Sequence, residues 1–175
     1  ENIIIKQSKI YQKNIKNEEV FLMDNHYNHF KKIDAHSHIG KFGSPFNIDF
    51  DLSRLTEQME EYNIEKTILC PAGCHLNKEL KEAYQAAPDK IIPLCWVNAN
   101  EGQEAYDMLE HYLRDENFAG VKMQPLFDAF TADSPMVDPI MEIAEAYKKP
   151  VFIHCGHPPY SLPWQIGLLA ERHPH

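Results

Sequence analysis

The stretch "KKIDAHSHIG" at residues 31–40 starts as an apolar, strand-like run and carries two histidines, His36 and His38, two residues apart. Side chains in a β-strand alternate between the two faces of the sheet, so both imidazoles point to the same side. Their ring nitrogens can then converge on one metal ion. Taken alone, the pair is also compatible with two polar loop residues, so it needs support from the rest of the chain.

The pattern of this stretch returns along the chain: an apolar run, a polar loop and then an amphipathic segment. The units are about thirty residues apart, which is the length of a βαβ unit. Five strand-then-helix units predict right-handed crossovers and a parallel sheet. The other four apolar runs are "EKTILCPAGC" (65–74), "IIPLCWVNAN" (91–100), "FAGVKMQP" (118–125) and "PVFIHCGHPP" (150–159).

The segments between the apolar runs have helical periodicity. Residues 101–117 and 135–149 place apolar side chains at i, i+3, i+4 and i+7, as on one face of a helix. Asn77 and Ser161 stand where N-caps would begin two further helices.

Two architectures satisfy this pattern, a doubly wound open sheet and a (β/α)8 barrel. The open sheet predicts a glycine-rich turn after its first strand, and none occurs here. Polar residues instead follow the apolar runs, at the end where a barrel places its active site. We therefore predict an α/β fold of the (β/α)8 TIM-barrel type, with only about the first five βα units present. These polar residues are His36, His38, Asn98, Lys122, Gln124, His154 and His157.

The domain organisation follows from the same pattern. Residues 1–30 are polar, mixed in charge and without a clean period, so we expect an N-terminal extension that is flexible; its His26 and His29 lie too far upstream to be ligands. Residues 31–175 are expected to form a partial barrel domain. Since a complete barrel takes about 250 residues, the sequence is a fragment, is completed by a partner, or forms an open sheet after all.

Composition limits the classes of function. With 17 basic and 26 acidic residues the formal charge is −9, which opposes binding to nucleic acid or to an anionic membrane. No run reaches the roughly 18 apolar residues of a membrane span, and no secretion signal is evident, so we expect a soluble, cytoplasmic protein. The four cysteines are expected to be buried, reduced thiols. The Cys70, Cys74 and His75 spacing could suggest a metal knuckle, but one cysteine pair is weak evidence and we set it aside.

A third histidine strengthens the metal hypothesis. His154 follows three core-type residues at the end of another predicted strand. Three imidazoles from two parallel strand ends can bind one divalent cation and leave a position open for water, as in a catalytic zinc site. We therefore predict His36, His38 and His154 as ligands of Zn²⁺ or another divalent transition metal, with His154 also the catalytic residue.

Lys122 interrupts an apolar run between Val121 and Met123. Pointing into a mouth that holds a metal, it would pair with an anionic small-molecule substrate or, if carbamylated, bridge two metals; a solvated lysine is the alternative. His157 is a second predicted substrate-binding residue. Asn98 and Gln124 are similar candidates, although strand-end amides also commonly satisfy loop backbone. Trp96 and Trp164 are expected to pack in the core or at the rim.

The motifs "IDAHSHIG", "GVKMQP" and "PVFIHCGH", in this order and spacing, resemble the amidohydrolase superfamily, in particular its second amidohydrolase-related family of metal-dependent hydrolases and decarboxylases. The resemblance covers residues about 32 to 174. It implies a distorted (β/α)8 barrel in which His36, His38 and His154 bind zinc or a related ion. It also implies a hydrolase that uses a metal-activated water on a small carbonyl or carboxylate substrate.

Alternatives remain open at this point. The same site could decarboxylate an unsaturated or aromatic acid, or the chain could be a non-catalytic truncated barrel. The family pattern further requires a histidine after the sixth strand and an aspartate after the eighth, often the general base, and the sequence ends before both. His173 and His175 are expected in the loop ahead of the sixth strand and not as ligands. An open α/β module that binds small acids without metal, and assembly into a homo-oligomer, are also compatible with the sequence.

Overall fold

The computed structural model describes residues 29–43 and 46–174. The expected flexible extension, with His26, therefore lies almost wholly outside the described residues, as does His175. One mixed sheet organises the described part, and its strands run in the order β2-β1-β3-β4-β5-β6. The strands are β1 (Lys32–Phe42), β2 (Ile48–Phe50), β3 (Ile64–Pro71), β4 (Ile91–Trp96), β5 (Gly120–Met123) and β6 (Val151–Ile153).

Helices connect the strands, and the two helices predicted over residues 101–117 and 135–149 are confirmed as α3 and α5. The helices are α1 (Leu52–Glu61), α2 (Asn77–Ala86), α3 (Gln103–Arg114), α4 (Pro125–Asp128), α5 (Asp138–Ala146) and α6 (Pro163–Arg172). Single 3₁₀ turns lie at Cys74–Leu76, Ala99–Glu101 and Pro135–Val137. Among the described residues, no helix combines the length and apolar character needed to cross a membrane.

The order of the strands distinguishes the two architectures. Strands β1, β3, β4, β5 and β6 are parallel, and each pairs with the next in the chain without a reversal. A doubly wound sheet reverses its strand order at a switch point, whereas a barrel adds units consecutively. The sheet therefore has the topology of five successive barrel units. The short antiparallel strand β2, which pairs Gly40 with Phe50, was not predicted.

The centre of the sheet is the most completely buried part of the fold. All four residues of β5 are buried, as are five of the six in β4. Apolar helix faces cover the outside of these strands, with Leu109 of α3 and Ile140 of α5 fully buried in the same core. Gly120 allows the closest approach, because a Cβ there would lie 2.7 Å from the carbonyl oxygen of Pro150.

Both predicted N-caps are wrong. Asn77 is already the first residue of α2, and its buried amide accepts a hydrogen bond from Trp96 N (2.9 Å) and donates one to Trp96 O (2.8 Å). It thus ties the helix to β4 instead of capping it. Helix α6 begins after Leu162, whose backbone N–H donates to Gln165 Oε1 at 2.7 Å. Ser161 lies one residue further upstream, and its buried hydroxyl has no partner among the described residues.

The cysteines divide into two groups. All four are free thiols. Cys70 and Cys95 are buried, as expected, whereas Cys155 is exposed and Cys74 is only partly buried. The expectation of buried thiols is wrong for these two because both follow the ends of their strands, in the loops.

Candidate active site

The structure brings the first two predicted ligands together on β1. The rings of His36 and His38 have centroids 4.8 Å apart. The pairing of β1 with β3 shifts register between Asp34 and Ser37, so β1 is irregular just where the first histidine stands. The Asp34 carboxylate accepts hydrogen bonds from the backbone N–H of His36 (3.2 Å) and the hydroxyl of Ser37 (2.5 Å). This carboxylate therefore fixes the backbone that presents the two imidazoles.

His38 is held in one orientation and one tautomer. Its Nδ1 lies 2.9 Å from the backbone oxygen of Pro71 on the neighbouring strand β3. A carbonyl oxygen only accepts, so Nδ1 carries the hydrogen and Nε2 keeps its lone pair. Burial lowers the pKa of His38 to about 4, so the ring is neutral at pH 7. A neutral imidazole whose second nitrogen donates to a carbonyl is the usual state of a metal-binding histidine.

His36 and His154 each present a buried Nε2 that has no hydrogen-bond partner among the described residues. Burial lowers the pKa of His36 to about 4, and His38, Lys122 and His154 lower it further by charge repulsion. Burial likewise lowers the pKa of His154, which follows β6. The ring of His157 stacks on that of His154, with centroids 5.0 Å apart and planes 11° from parallel. Unpartnered buried nitrogens are rare in folded proteins, so these two call for a ligand.

Lys122 is a charged residue in the most buried strand of the sheet. Its side chain is fully buried, and Nζ has no hydrogen-bond partner among residues 29–43 and 46–174. In the register of the sheet, Lys122 lies between Trp96 on β4 and Phe152 on β6. Nζ is 6.0 Å from the Trp96 ring and 4.9 Å from the Phe152 ring, within range of cation–π attraction. Burial lowers the pKa of this ammonium.

Aromatic side chains join the lysine to the histidines. Phe152 makes an edge contact with His36 at 4.8 Å between centroids, and the Trp96 ring lies 6.1 Å from that of His38. Trp96 and Phe152 thus bridge Lys122 on β5 to the two histidines of β1.

The three histidines do not form a closed metal site in this structure. Their donor atoms do not all lie within 4.8 Å of one another; in the described part of the chain, only Cys74, His75 and Glu101 meet that criterion. Strands β1 and β6 are separated by three intervening strands, so His154 reaches the other two only across the face of the sheet. The three imidazoles are neutral nitrogen donors, which suits a divalent ion. Their donor atoms would have to move closer together to bind it.

The other predicted residues have varied positions. The amide oxygen of Asn98 accepts from Asn100 N at 3.1 Å, so this side chain satisfies loop backbone. Gln124 is buried, and its Oε1 has no partner among the described residues. Trp96 is a buried wall of the site, while Trp164 is exposed.

Asp128, which sequence reasoning missed, stands behind the site. Its carboxylate accepts a hydrogen bond from Trp96 Nε1 at 2.7 Å. Burial, and then the nearby charge of Glu101, raise the pKa of Asp128 to about 6. Its one sequence signal was an acidic residue shortly after "GVKMQP", at the end of the barrel where sites form.

Fold and site together define a barrel-type α/β protein with histidines and a lysine at the carboxyl ends of its parallel strands. A family model described as amidohydrolase matches residues 33–175, and the chain belongs to that family. A comparison with curated proteins finds no significant match.

Solved structures share the fold at low identity. A 5-carboxyvanillate decarboxylase from Novosphingobium aromaticivorans, complexed with manganese and 4-hydroxy-3-methoxy-5-nitrobenzoic acid, is 16% identical with a TM-score of 0.64, over 83% of this chain and 55% of that one. A 2,6-dihydroxybenzoate decarboxylase from Rhizobium is 19% identical with a TM-score of 0.59, over 82% of this chain and 54% of that one. A probable 2-pyrone-4,6-dicarboxylic acid hydrolase from Acinetobacter baumannii, with citric acid bound, is 17% identical with a TM-score of 0.56, over 71% of this chain and 49% of that one. The chain thus spans about half the length of these structures.

Proposed function

We propose that this chain provides the metal-binding and carboxylate-binding part of an amidohydrolase-type hydrolase that acts on a small carbonyl or carboxylate substrate. The observation that carries the proposal is the group of three buried nitrogens without partners among the described residues: His36 Nε2, His154 Nε2 and Lys122 Nζ. In the proposed site His36, His38 and His154 bind a divalent transition metal, with zinc the first candidate. His154 is also the catalytic residue, and Lys122 and His157 bind the substrate.

The donor set supports a metal in three ways. All three imidazoles have lowered pKa values, so they are neutral at pH 7 and can donate a lone pair. His38 is oriented by the backbone oxygen of Pro71. A divalent ion bound here would bring the pKa of a coordinated water toward about 7 and polarise a substrate carbonyl.

The residues of the chain determine how a substrate is held. A carboxylate at Lys122 Nζ would supply the hydrogen-bond partner that this buried ammonium lacks among the described residues, and the attraction is strengthened because water is excluded there. Trp96 and Phe152 keep water from the ammonium on either side. The stacked ring of His157 restricts rotation of His154 and lies next to it, where it can donate to a second polar group of the substrate.

Decarboxylation of an aromatic or unsaturated acid is the second candidate function. Two aromatic rings flank the ammonium of Lys122, and a cation between aromatic walls suits a planar anion better than a flexible one. The similar structures from Novosphingobium aromaticivorans and Rhizobium are decarboxylases of substituted benzoates by name, which favours the same substrate class here.

Elemental analysis tests the metal part of the proposal. The protein is equilibrated with Zn²⁺, freed of excess metal, and compared with the double variant His36→Ala/His38→Ala. The variant should bind one equivalent less. His111→Ala, at an exposed histidine on α3, is the control and should keep the full metal content. Equal metal content in the double variant and the control would refute the proposed site.

Calorimetric titration of the zinc-loaded protein with 2,6-dihydroxybenzoate tests the substrate class. Binding should weaken at least about tenfold in Lys122→Gln, because the buried charged partner is lost. The corresponding neutral amide should bind equally weakly to both proteins. Equal affinity of the acid for both proteins would show that Lys122 does not hold the carboxylate.

A further inference from the structure

We propose that Cys74, His75 and Glu101 form a second metal site, for zinc or a similar borderline ion, separate from the three histidines. Cys74 and His75 lie in the 3₁₀ turn after β3, and Glu101 lies in the one after β4. Their donor atoms all lie within 4.8 Å of one another. The proposal does not depend on the proposed function, since it shares no ligand with that site.

Two of the three distances between the donor atoms are close to those around a tetrahedral ion. Cys74 Sγ is 3.6 Å from His75 Nε2 and 3.8 Å from Glu101 Oε1. For bonds of about 2.3 Å to sulfur and about 2.0 Å to nitrogen or oxygen, tetrahedral geometry places such donor atoms roughly 3.5 Å apart. Cys74 Sγ is therefore already near tetrahedral spacing from both partners, and the His75 nitrogen and the Glu101 oxygen lie within 4.8 Å of each other, so three ligands can close around an ion and leave the fourth position for water. Thiolate, imidazole and carboxylate together are donors that suit zinc.

The local charge also favours a cation. Asp128 lies close enough for Glu101 to raise its pKa, and both carboxylates act on Cys74. Among the described residues, neither Glu101 nor Asp128 has an ion-pair partner within 4 Å. A divalent ion would offset this concentration of negative charge and would deprotonate the thiol.

A nucleophilic or redox role for Cys74 fits the structure less well. Burial, followed by the repulsion of Asp128 and Glu101, raises the pKa of Cys74 to about 11, so without a cation the group is an unreactive thiol. A bound ion would instead tie the loops after β3 and β4 together. Asp128, which bonds Trp96, links this position to a wall of the proposed active site.

Cobalt titration distinguishes the two metal sites. Co²⁺ bound to a thiolate gives a sulfur-to-metal charge-transfer absorption in the ultraviolet, whereas a site made of histidines gives none. The wild-type protein should develop this absorption as one equivalent of Co²⁺ binds. Cys74→Ser should lose the absorption and that equivalent of Co²⁺. Cys155→Ser, at an exposed thiol next to His154, is the matched control and should retain them.

Measurements on two further variants make the result decisive. Glu101→Gln should weaken the apparent affinity for the thiolate-bound Co²⁺ at least about tenfold, the smallest loss expected when a coordination shell is disturbed. The variant His36→Ala/His38→Ala should keep the thiolate absorption, whatever the outcome for the proposed active site. Absence of the absorption in the wild type, or its persistence in Cys74→Ser, would overturn the proposal.

Discussion

The central strands and the outer strands of the sheet differ in how completely they are buried. In β4 and β5 nearly every residue is buried, whereas β6 has no buried residue and β1 only Ile39. The predicted histidine ligands belong to the outer strands β1 and β6 and their ends. Lys122 is the exception, a charged residue in the centre. The centre of the sheet therefore contributes most of the buried packing, whereas the outer strands carry most of the proposed site, and Lys122 is a proposed site residue within the packed centre.

The largest expected effect is loss of packing in the centre. Leu94→Ala on β4 should lower the free energy of unfolding by roughly 2–5 kcal/mol, because the buried side chain leaves a cavity. Ile33→Ala on β1 removes a largely exposed side chain and should change it by less than about 0.5 kcal/mol. Urea unfolding measures both. Equal losses would erase the distinction between centre and margin.

Lys122→Met tests whether the buried lysine lowers the stability of the central strands. In the metal-free protein without substrate, the variant should be more stable by roughly 1–3 kcal/mol, since it removes a buried polar group that has no partner in the part of the chain that the structure describes. Burial lowers the pKa of Lys122 in the folded state. The free-energy cost of burying the charged lysine in the wild type is therefore complete below that lowered pKa. It disappears as the pH rises toward about 10.4, the pKa in the unfolded chain. The gain measured by urea unfolding should therefore shrink at alkaline pH. A variant less stable than the wild type at pH 7 would mean that the lysine contributes to the fold.

Alanine substitution at two glycines should change the free energy of unfolding in opposite directions. Gly120→Ala in β5 should cost roughly 1–3 kcal/mol, because its Cβ would meet the Pro150 carbonyl oxygen and a Leu94 methyl group at 2.7 and 2.9 Å. Gly167→Ala in helix α6 has open space and should gain about 0.5–1 kcal/mol. Thermal unfolding of both variants checks the prediction. A neutral Gly120→Ala would show that the central strands can separate without cost.

The strands and long helices were predictable from sequence because burial imposes apolar runs and a 3.6-residue period on a chain. Strand β2 was not, since three residues carry too short a pattern. The N-cap predictions failed at Asn77 because its amide bonds a neighbouring strand, which local sequence cannot show.

The site shows the same limit. The alternation of a strand was enough to predict that His36 and His38 lie side by side. The group formed by Cys74 and Glu101 was missed, since it joins loops after different strands and its members are 27 positions apart. Asp128 was missed for the same reason, because its partner Trp96 is 32 positions away. Contacts between loops depend on the order of the strands in the sheet, which a local sequence pattern does not contain.

The smallest expected effect concerns Asp128, at the boundary between centre and margin. Its pKa is raised to about 6, so the folded protein holds the proton more tightly than the unfolded chain. The stability contributed by the protonated form is complete below about pH 4 and is lost as the pH rises through about 6. Asp128→Asn, which can still accept from Trp96, removes this dependence and should gain stability relative to the wild type between pH 4 and 7.

Urea unfolding of chelator-treated protein at pH 4.5 and pH 7 measures this difference. Asp89→Asn, at an exposed aspartate, is the control and should show much less of it. If Asp128→Asn instead lost stability at pH 7, the carboxylate would have a partner at that pH that offsets its burial. Repeating the pH 7 measurement with Zn²⁺ sharpens the comparison further: an ion at Cys74, His75 and Glu101 would stabilise the charged Asp128, and the advantage of the variant should then decrease.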